Sequence, residues 1–301
     1  MISEVFYWLL NASILGGAAG LIVLALRSIK RLPRFAAYLL WALALVRLWI
    51  PVGLGSRYSP LTLLSGFTKS VAVWSQGATM MNAMRAADSY FPIEYKTRRL
   101  AELFHIACAV WLTVACAAVL SCALLYAFTK SELKSAVRLR DNIYESDKIK
   151  SPAVYGVFRP RIVLPGAIAA DELEYILLHE RVHIRRRDNL LRMIAIVTAC
   201  VHWFNPLVWV FLRAFLADME LACDAGVLKE LDRSERKAYA SAILRFSAGK
   251  AYFSSAFGGA KTRVRVENIL SYKKLTALSA IGVGLLILAG AAVLLTNAPG
   301  S

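Results

Sequence analysis

The stretch EYILLHERVHIRRRDN, residues 174–189, decides how the rest of the chain is interpreted. It places two histidines, His179 and His183, four positions apart, with Glu180 directly after the first. On an α-helix, positions i and i+4 lie on the same face, so both imidazoles can bind one metal ion. Glu180 lies beside that face, where a carboxylate can act as a general base. The pattern fixes only three positions and also arises by chance, so it needs support from elsewhere in the chain.

A second pair of residues four apart, Glu220 and Asp224, supplies a candidate third ligand. The apolar helix predicted over 190–204 is broken at Asn205, and Pro206 is typical of the first turn of a new helix. At 1.5 Å per residue, the chain rises about 24 Å from Asp188 to Phe204 and returns about 21 Å from Pro206 to Glu220, so an antiparallel hairpin would bring Glu220 back to the histidines. Two imidazoles and one carboxylate, with one position open, are typical of catalytic zinc. The alternative is that both acids are solvated helix residues.

The remaining polar candidates are assigned smaller roles. Asp188 is a candidate hydrogen-bond partner for a ligand imidazole. The alternative is that Asp188 only terminates a helix. We predict His202 to be a hydrogen-bonded core or interfacial histidine, and we give His105 no role. The cysteines form no C-x-x-C pair, and we expect reduced packing residues. They are Cys108, Cys116, Cys122, Cys200 and Cys223.

The composition indicates a membrane protein. Hydrophobic residues make up 58% of the chain, charged residues only 19%, and the mean hydropathy is +0.54, which is too apolar for an ordinary soluble domain. Apolar runs long enough, or nearly so, for a bilayer account for this. They cover 5–26, 36–54, 104–128 and 275–296. The second is the weakest, because it contains Arg47 and Pro51.

The net charge of +16 is better explained by membrane orientation than by nucleic-acid binding. Segments 27–35, 129–193 and 218–274 hold four, thirteen and eleven of the 36 basic residues, whereas the loop 56–103 holds six. Because basic residues favour the cytoplasmic side, we predict both termini outside a bacterial cell membrane and the long basic segments inside. The expected partners include the lipid bilayer and no direct nucleic acid.

The cytoplasmic part contains strand and helix signals. Within SPAVYGVFRPRIVLPGAI, residues 151–168, we predict strands over 153–157 and 161–164. Asp171 is predicted to cap a helix over 171–187. The hairpin that carries Glu220 is predicted to dip into the membrane from the cytoplasmic face.

The predicted fold class is therefore a mainly α membrane protein, with four transmembrane helices and a cytoplasmic α+β domain. The predicted domains are three transmembrane helices with the extracellular loop (1–128), a cytoplasmic metallopeptidase domain (129–274), and a fourth transmembrane helix with a short tail (275–301).

The chain resembles the integral-membrane zinc metallopeptidases of the β-lactam-sensing antirepressors, the Bla/Mec signal transducers. The resemblance is carried by WALALVRLWIPVG, SPAVYGVFRPRIVLP, LLHERVHIRRRDNL, HWFNPLVWV and ELACDAGVL, which occur in family order over 41–228. It implies a gluzincin-type site with one Zn²⁺ per chain. His179, His183 and Glu220 would be the ligands, Glu180 the general base, and Asp224 a supporting acid. The strand pair at 153–164 would align an extended substrate by β-augmentation.

The resemblance also implies a cellular role. Members cut themselves and a dimeric DNA-binding repressor after an extracellular sensor reacts with an antibiotic. Here the chain stops five residues after the fourth apolar run, so we expect either a removed sensor or a relative that lacks one. We place self-cleavage at Ser255, Ala256 and Phe257, where a flexible Gly/Ser linker is the alternative. A homodimer is a further partner arrangement that we consider for this chain.

Three other functions compete with this one. A CAAX-prenyl-protease-like membrane endopeptidase shares the two short motifs but has more spans. A site-2-type intramembrane protease would place the histidines in an apolar helix, and Arg181 and 185–187 argue against that. A catalytically silent membrane signalling scaffold would have no reason to retain all four zinc-peptidase residues.

Overall fold

A computed structural model describes residues 2–29, 32–50, 54–55, 78–79, 94–95, 98–149, 151–166, 168–246, 259–272 and 277–297. Most of the predicted loop 56–103 and the predicted self-cleavage residues 255–257 lie outside these ranges. By its contacts the chain divides into two units. The first comprises Met1–Ala118, Thr198–Trp209 and Ala277–Ser301, and the second comprises Val119–Val197 and Val210–Thr276.

The described part of the chain is mainly helical, as predicted. In chain order the helices are α1 (Ile2–Arg27), α2 (Arg34–Trp49), α3 (Arg98–Glu132), α4 (Ala170–Arg186), α5 (Asp188–Val201), α6 (Pro206–Glu230), α7 (Arg236–Phe246), α8 (Thr262–Leu270) and α9 (Ala277–Leu294). The strands are β1 (Leu54–Gly55), β2 (Ala78–Thr79), β3 (Glu94–Tyr95), β4 (Val137–Arg140), β5 (Ile143–Glu145), β6 (Ala153–Tyr155), β7 (Arg161–Leu164) and β8 (Thr296–Asn297).

Among the described residues, two helical stretches are long and apolar enough to cross a bilayer. They are Glu4–Arg27 and Glu102–Ser135, while the apolar stretch Ile281–Leu294 is shorter. Helix α2 has 16 residues, fewer than the roughly 20 that a span needs. The four-span topology, the orientation of the termini and the domain boundaries therefore stay predictions.

In the first unit, α1 packs against α2, and the tip of the α5–α6 hairpin is tied to both helices. Nε2 of His202 lies 3.1 Å from the Leu48 carbonyl oxygen, and the Asn205 amide donates to Ser13 Oγ at 2.9 Å. His202 is fully buried, which confirms the prediction of a hydrogen-bonded core histidine. Asn205 Oδ1 accepts the backbone N–H of Leu207 at 3.0 Å, so Asn205 caps α6 and Pro206 begins it as predicted.

The second unit contains a four-stranded sheet of order β4-β5-β7-β6. Strand β7 pairs parallel with β5 and antiparallel with β6, so β6 is an edge strand. The two strands predicted within 153–164 are confirmed, and β4 and β5 were not predicted. Ile162 and Leu164 of β7 pack with Ile176 of α4, which fixes that helix against the sheet.

One prediction about α4 is wrong. Asp171 does not cap the helix, which begins one residue earlier at Ala170, with Ala169 as its N-cap and no side-chain cap bond. The reason is that the Ala169 carbonyl already accepts the N–H groups of Glu172 and Leu173. At the other end, Arg187 adopts a left-handed conformation with φ 56°, and α5 begins at the next residue.

Candidate metal centre

The two histidines of α4 meet edge to face. His179 and His183 lie one helical turn apart, with ring planes at 83° and ring centroids 4.7 Å apart. Their Nε2 atoms approach to 3.1 Å. Only 6% of His179 and 7% of His183 is exposed, so the pair is shielded from bulk water.

Glu220 of α6 completes a cluster of three donor atoms. Its Oε2 lies 3.9 Å from Nε2 of His179 and 3.9 Å from Nε2 of His183. Atoms bound tetrahedrally to one zinc ion at 2.0–2.2 Å would lie roughly 3.3–3.6 Å apart, close to these separations. The structure thus brings together the three side chains that the sequence analysis selected, and their role as ligands stays a prediction.

Hydrogen bonds behind the rings determine where the ring protons lie. Nδ1 of His183 is 2.7 Å from Oδ2 of Asp188, and an ionised carboxylate only accepts, so Nδ1 carries the hydrogen. Nδ1 of His179 is 2.9 Å from the Tyr239 hydroxyl, which donates to Asp224 Oδ1 at 2.7 Å. The hydroxyl oxygen therefore accepts from the ring of His179. Both Nε2 atoms face the space between the rings. Burial would lower the pKa of His183, but its surroundings, including the hydrogen bond to Asp188 and the charge of Glu220, raise it well above its ordinary value, so without a bound ion Nε2 of His183 donates to Nε2 of His179. A metal ion would displace that proton.

This arrangement fits a metal ion. Two imidazole Nε2 atoms and a carboxylate oxygen converge within 3.9 Å, and both Nδ1 atoms are hydrogen-bonded on the far sides of the rings. Burial, and then the neighbouring charge of Arg265, lower the pKa of His179 to about 3, so this imidazole is neutral at physiological pH. A neutral imidazole with its second nitrogen hydrogen-bonded is the form that binds metals. Two imidazoles and one carboxylate are a donor set that suits zinc.

Arg265 of α8 is part of the same cluster and was not predicted. Its Nε and Nη2 donate to the two oxygens of Asp224 at 2.8 and 2.7 Å. Its Nη1 lies 3.4 Å from Glu220 Oε2, and its Nη2 lies 3.4 Å from Nε2 of His179. Burial alone would raise the pKa of Asp224, but the guanidinium outweighs it and lowers that pKa. The ion pair thus fixes the acid behind His179.

Arginine side chains face both carboxylate oxygens of Glu220. Nη2 of Arg192 lies 3.4 Å from Oε1, while Arg265 faces Oε2. Burial would raise the pKa of Glu220, but the histidines and the two guanidinium groups lower it below its ordinary value. The carboxylate is therefore ionised and oriented before any ion binds.

Comparison with known proteins assigns the chain to a family. The family model described as BlaR1 peptidase M56 matches residues 7–269, well over half of the chain. The chain belongs to this family. As an M56 chain it is 39% identical over 127 residues to "Regulatory protein BlaR1" of Bacillus licheniformis. It is 35% identical over 106 residues to "Methicillin resistance mecR1 protein" of Staphylococcus aureus, and 28% identical over 132 residues to "Regulatory protein BlaR1" of the same species.

These alignments cover a limited part of each protein. They span 40%, 34% and 41% of the M56 chain and 21%, 18% and 23% of the three relatives. The chain therefore spans less than a quarter of the length of the curated relatives it matches. Membership in the M56 family is shown, and the activities of the whole relatives are not transferred by it.

The M56 site offers a second donor set that includes a cysteine. His179, His183 and Cys223 have ligand atoms within 4.8 Å of one another and could hold a metal ion. However, Cys223 Sγ approaches His179 from behind, 3.6 Å from Nδ1 and 3.5 Å from the backbone oxygen. Burial raises the pKa of the Cys223 thiol to about 11, which keeps it protonated. The oxygen of Glu220 lies on the side to which both Nε2 atoms point.

Glu180, the predicted general base, is buried on α4 directly after His179. Only 8% of the residue is exposed. Burial raises the pKa of its carboxyl above the ordinary value. A carboxylate with a raised pKa is a better proton acceptor, which suits general-base chemistry near neutral pH.

Sequence reasoning missed Tyr239, Arg192, Arg265 and Cys223 as neighbours of the M56 site. Tyr239 and Arg265 belong to α7 and α8, which are separate helices from α4. No i, i+4 spacing therefore relates them to the histidines in the sequence. Cys223 stands between Glu220 and Asp224 and could have been noticed, because both acids were already placed on one helix. The predicted self-cleavage residues 255–257 cannot be located, since they lie outside the described residues.

Proposed function

We propose that this M56 chain is a membrane-bound zinc metallopeptidase that hydrolyses peptide bonds on the cytoplasmic side. The observation that carries the proposal is the convergence of two imidazole Nε2 atoms and one carboxylate oxygen, at 3.1 and 3.9 Å, with both Nδ1 atoms hydrogen-bonded on the far sides of the rings. His179, His183 and Glu220 would bind one zinc ion. Membership in the M56 family supports the same function.

The zinc ion, when bound, would polarise the scissile carbonyl and acidify water. Glu180 accepts a proton from the attacking water and passes it to the leaving amine nitrogen, as the water oxygen bonds to the carbonyl carbon and the C–N bond breaks. Asp188 and the Tyr239–Asp224 pair hold the two imidazoles in the tautomer that leaves each Nε2 free. Arg265 is a positioning residue, because it fixes Asp224 behind His179 and faces Oε2 of Glu220.

The substrate is proposed to lie in an extended conformation along β6, the edge strand of the sheet. An edge strand presents unpaired backbone groups to another chain. Here the Asn189 amide donates to the carbonyl oxygens of Val154 and Gly156, both at 3.0 Å, so part of this edge is already used. A substrate strand would pair with the remaining groups or displace the amide.

We further propose that the protease cuts its own chain near 255–257 and a cytoplasmic DNA-binding repressor, within antibiotic or cell-wall stress signalling. The support is the similarity to relatives whose names describe a regulatory protein and methicillin resistance. We keep four membrane spans, with both termini outside, and the segments 1–128, 129–274 and 275–301 as part of this proposal.

The full chain, purified in detergent, tests the chemistry. Zinc content should be about one ion per chain, and the protein should fragment slowly in a manner blocked by a chelator. Glu180→Ala should abolish the fragmentation and keep the zinc, whereas Glu174→Ala, at an exposed position of the same helix, should change neither. Equal fragmentation of the wild type and Glu180→Ala would overturn the peptidase proposal.

The same preparation decides between the two donor sets. Glu220→Gln should lose most of the zinc, because its amide oxygen is a weaker ligand than a carboxylate. Cys223→Ser should retain it. The reverse result would assign Cys223 as the third ligand.

A further inference from the structure

A second cavity lies in the unit that contains the sheet, apart from the histidine cluster. Its volume is about 460 Å³, and it is lined by the C-terminal end of α3, the segment after it, and the turn between β6 and β7. Its lining includes four cationic side chains, Lys130, Lys134, Arg159 and Arg161, and none of the described lining residues is acidic. A cavity with this charge favours an anionic ligand.

Aromatic side chains share the cavity with these cations. Tyr126, Tyr144, Tyr155 and Phe158 all line it, and the Arg161 guanidinium lies over the Tyr144 ring, 5.0 Å from its centroid. Tyrosine and basic residues are the side chains enriched where a protein meets the headgroup region of a bilayer. The combination therefore points to a ligand at the membrane surface.

Two apolar features adjoin the cavity. Phe158 is 89% exposed at the tip of the β6–β7 turn. The turn is tight, because Gly156 has φ +93° and a Cβ there would lie 2.6 Å from the Arg159 carbonyl oxygen. On α3, Leu125 is 53% exposed and lies one helical turn before Thr129, which lines the cavity, within the stretch that is long and apolar enough to cross a bilayer. Exposed apolar side chains thus flank the basic cavity.

We propose that this cavity binds the headgroup of an anionic phospholipid, with the acyl chains along the exposed face of α3 and Phe158 inserted at the interface. The inference rests on the membrane placement of α3 proposed above and not on the peptidase chemistry. A phosphodiester places a negative charge among the four cations, and two acyl chains cover the apolar side chains next to them. A free phosphate would satisfy only the first of these features.

The test uses native mass spectrometry of the full chain released from detergent, titrated with dioleoylphosphatidylglycerol or dioleoylphosphatidylcholine. Phosphatidylglycerol should bind more tightly than phosphatidylcholine. The Arg159→Ala/Arg161→Ala variant should weaken phosphatidylglycerol binding roughly 25-fold, from about fivefold for each cation removed near a membrane surface. Lys130→Ala/Lys134→Ala, at the C-terminal end of α3 and just after it, should have a similar effect.

The matched control is Arg138→Ala/Arg140→Ala, which removes two exposed cations of β4 that do not line the cavity. It should leave the binding unchanged, and an unaltered melting temperature verifies the fold of each variant.

An equal loss of phosphatidylglycerol binding in the control, or equal binding of the two lipids, would overturn the proposed site. Inorganic phosphate that displaces phosphatidylglycerol at millimolar concentration would assign the cavity to a free anion instead. Glu180→Ala should bind lipid like the wild type. The lipid result therefore does not depend on whether the peptidase proposal holds.

Discussion

Asp188 accepts a 2.7 Å hydrogen bond from Nδ1 of His183, although the two residues belong to different helices. Asp188 is fully buried and also lies 3.4 Å from Nε of Arg186. Because α5 begins at Asp188, directly after the left-handed Arg187, the turn between the helices positions the carboxylate against the imidazole.

We predict that Asp188→Asn weakens zinc binding by about 10- to 100-fold, the usual effect of removing a carboxylate that orients a metal-bound histidine. The amide no longer selects the tautomer with the hydrogen on Nδ1. Competition with a fluorescent chelator measures the affinity. Asp232→Asn, at an exposed position, serves as the control and should bind zinc like the wild type. Wild-type affinity in Asp188→Asn would contradict the role of this carboxylate.

We predict that Arg265→Ala is strongly destabilising. The variant leaves the buried Asp224 carboxylate without its two guanidinium hydrogen bonds, and breaking a buried ion pair costs about 3–5 kcal/mol. The expected readout is a large drop in the melting temperature of the detergent-solubilised chain. Arg263→Ala offers a matched control two residues away, because Arg263 is exposed and pairs only with Glu267 on the same helix. Its melting temperature should hardly change.

We predict that the self-cleavage rate falls as the pH is lowered through the pKa of Glu180. Burial raises this pKa above the ordinary value of 4.5, and a protonated carboxyl cannot accept a proton from water. The acid limb of the pH–rate profile should therefore lie above pH 4.5, with the rate falling about tenfold per pH unit on it. Glu180→Gln should be inactive at every pH. A profile that stays flat down to pH 4 would exclude Glu180 as the base.

We predict that Gly16→Ala disrupts the packing of α1 on α2. A Cβ at this position would lie 2.5 Å from Leu48 Cγ and 2.9 Å from Leu48 Cα, and the second contact is with backbone. Overpacking of this kind costs about 1–3 kcal/mol. Gly284→Ala is the control, since nothing lies within 4 Å of its Cβ position. Comparison of the two melting temperatures tests the prediction, and equal values would refute it.

The sequence predicted the cluster of His179, His183 and Glu220 because its geometry depends on local rules. The i, i+4 spacing sets the imidazoles, and two nearly equal helix lengths return the carboxylate. The remaining partners depend on tertiary packing. Tyr239 and Arg265 reach the histidines because α7 and α8 pack around Cys223, Val227 and Ile269, and no sequence spacing encodes that contact.

The errors and omissions in the fold have equally specific causes. Asp171 has the right chemistry for a cap, but the Ala169 carbonyl starts the helix first. Strand β4 was not predicted, although its sequence VRLR alternates apolar and basic residues. All four residues are exposed, so no core contact supports the pattern. The number of membrane spans depends on the surroundings of the apolar helices, which periodicity does not report.

Asp188 and Asn189 are consecutive residues, and their side chains bond to different elements: Asp188 to His183 of α4, and Asn189 to the backbone of β6 and the turn after it. One secures an imidazole and the other secures the outermost strand of the sheet. In the proposed function, a single helix terminus therefore holds both an imidazole that would bind zinc and the edge strand along which a peptide substrate would lie. A redesign of peptide selectivity would have to change residues of the sheet and leave this terminus in place. A shift of the terminus would also move Asp188 away from His183 and would weaken zinc binding.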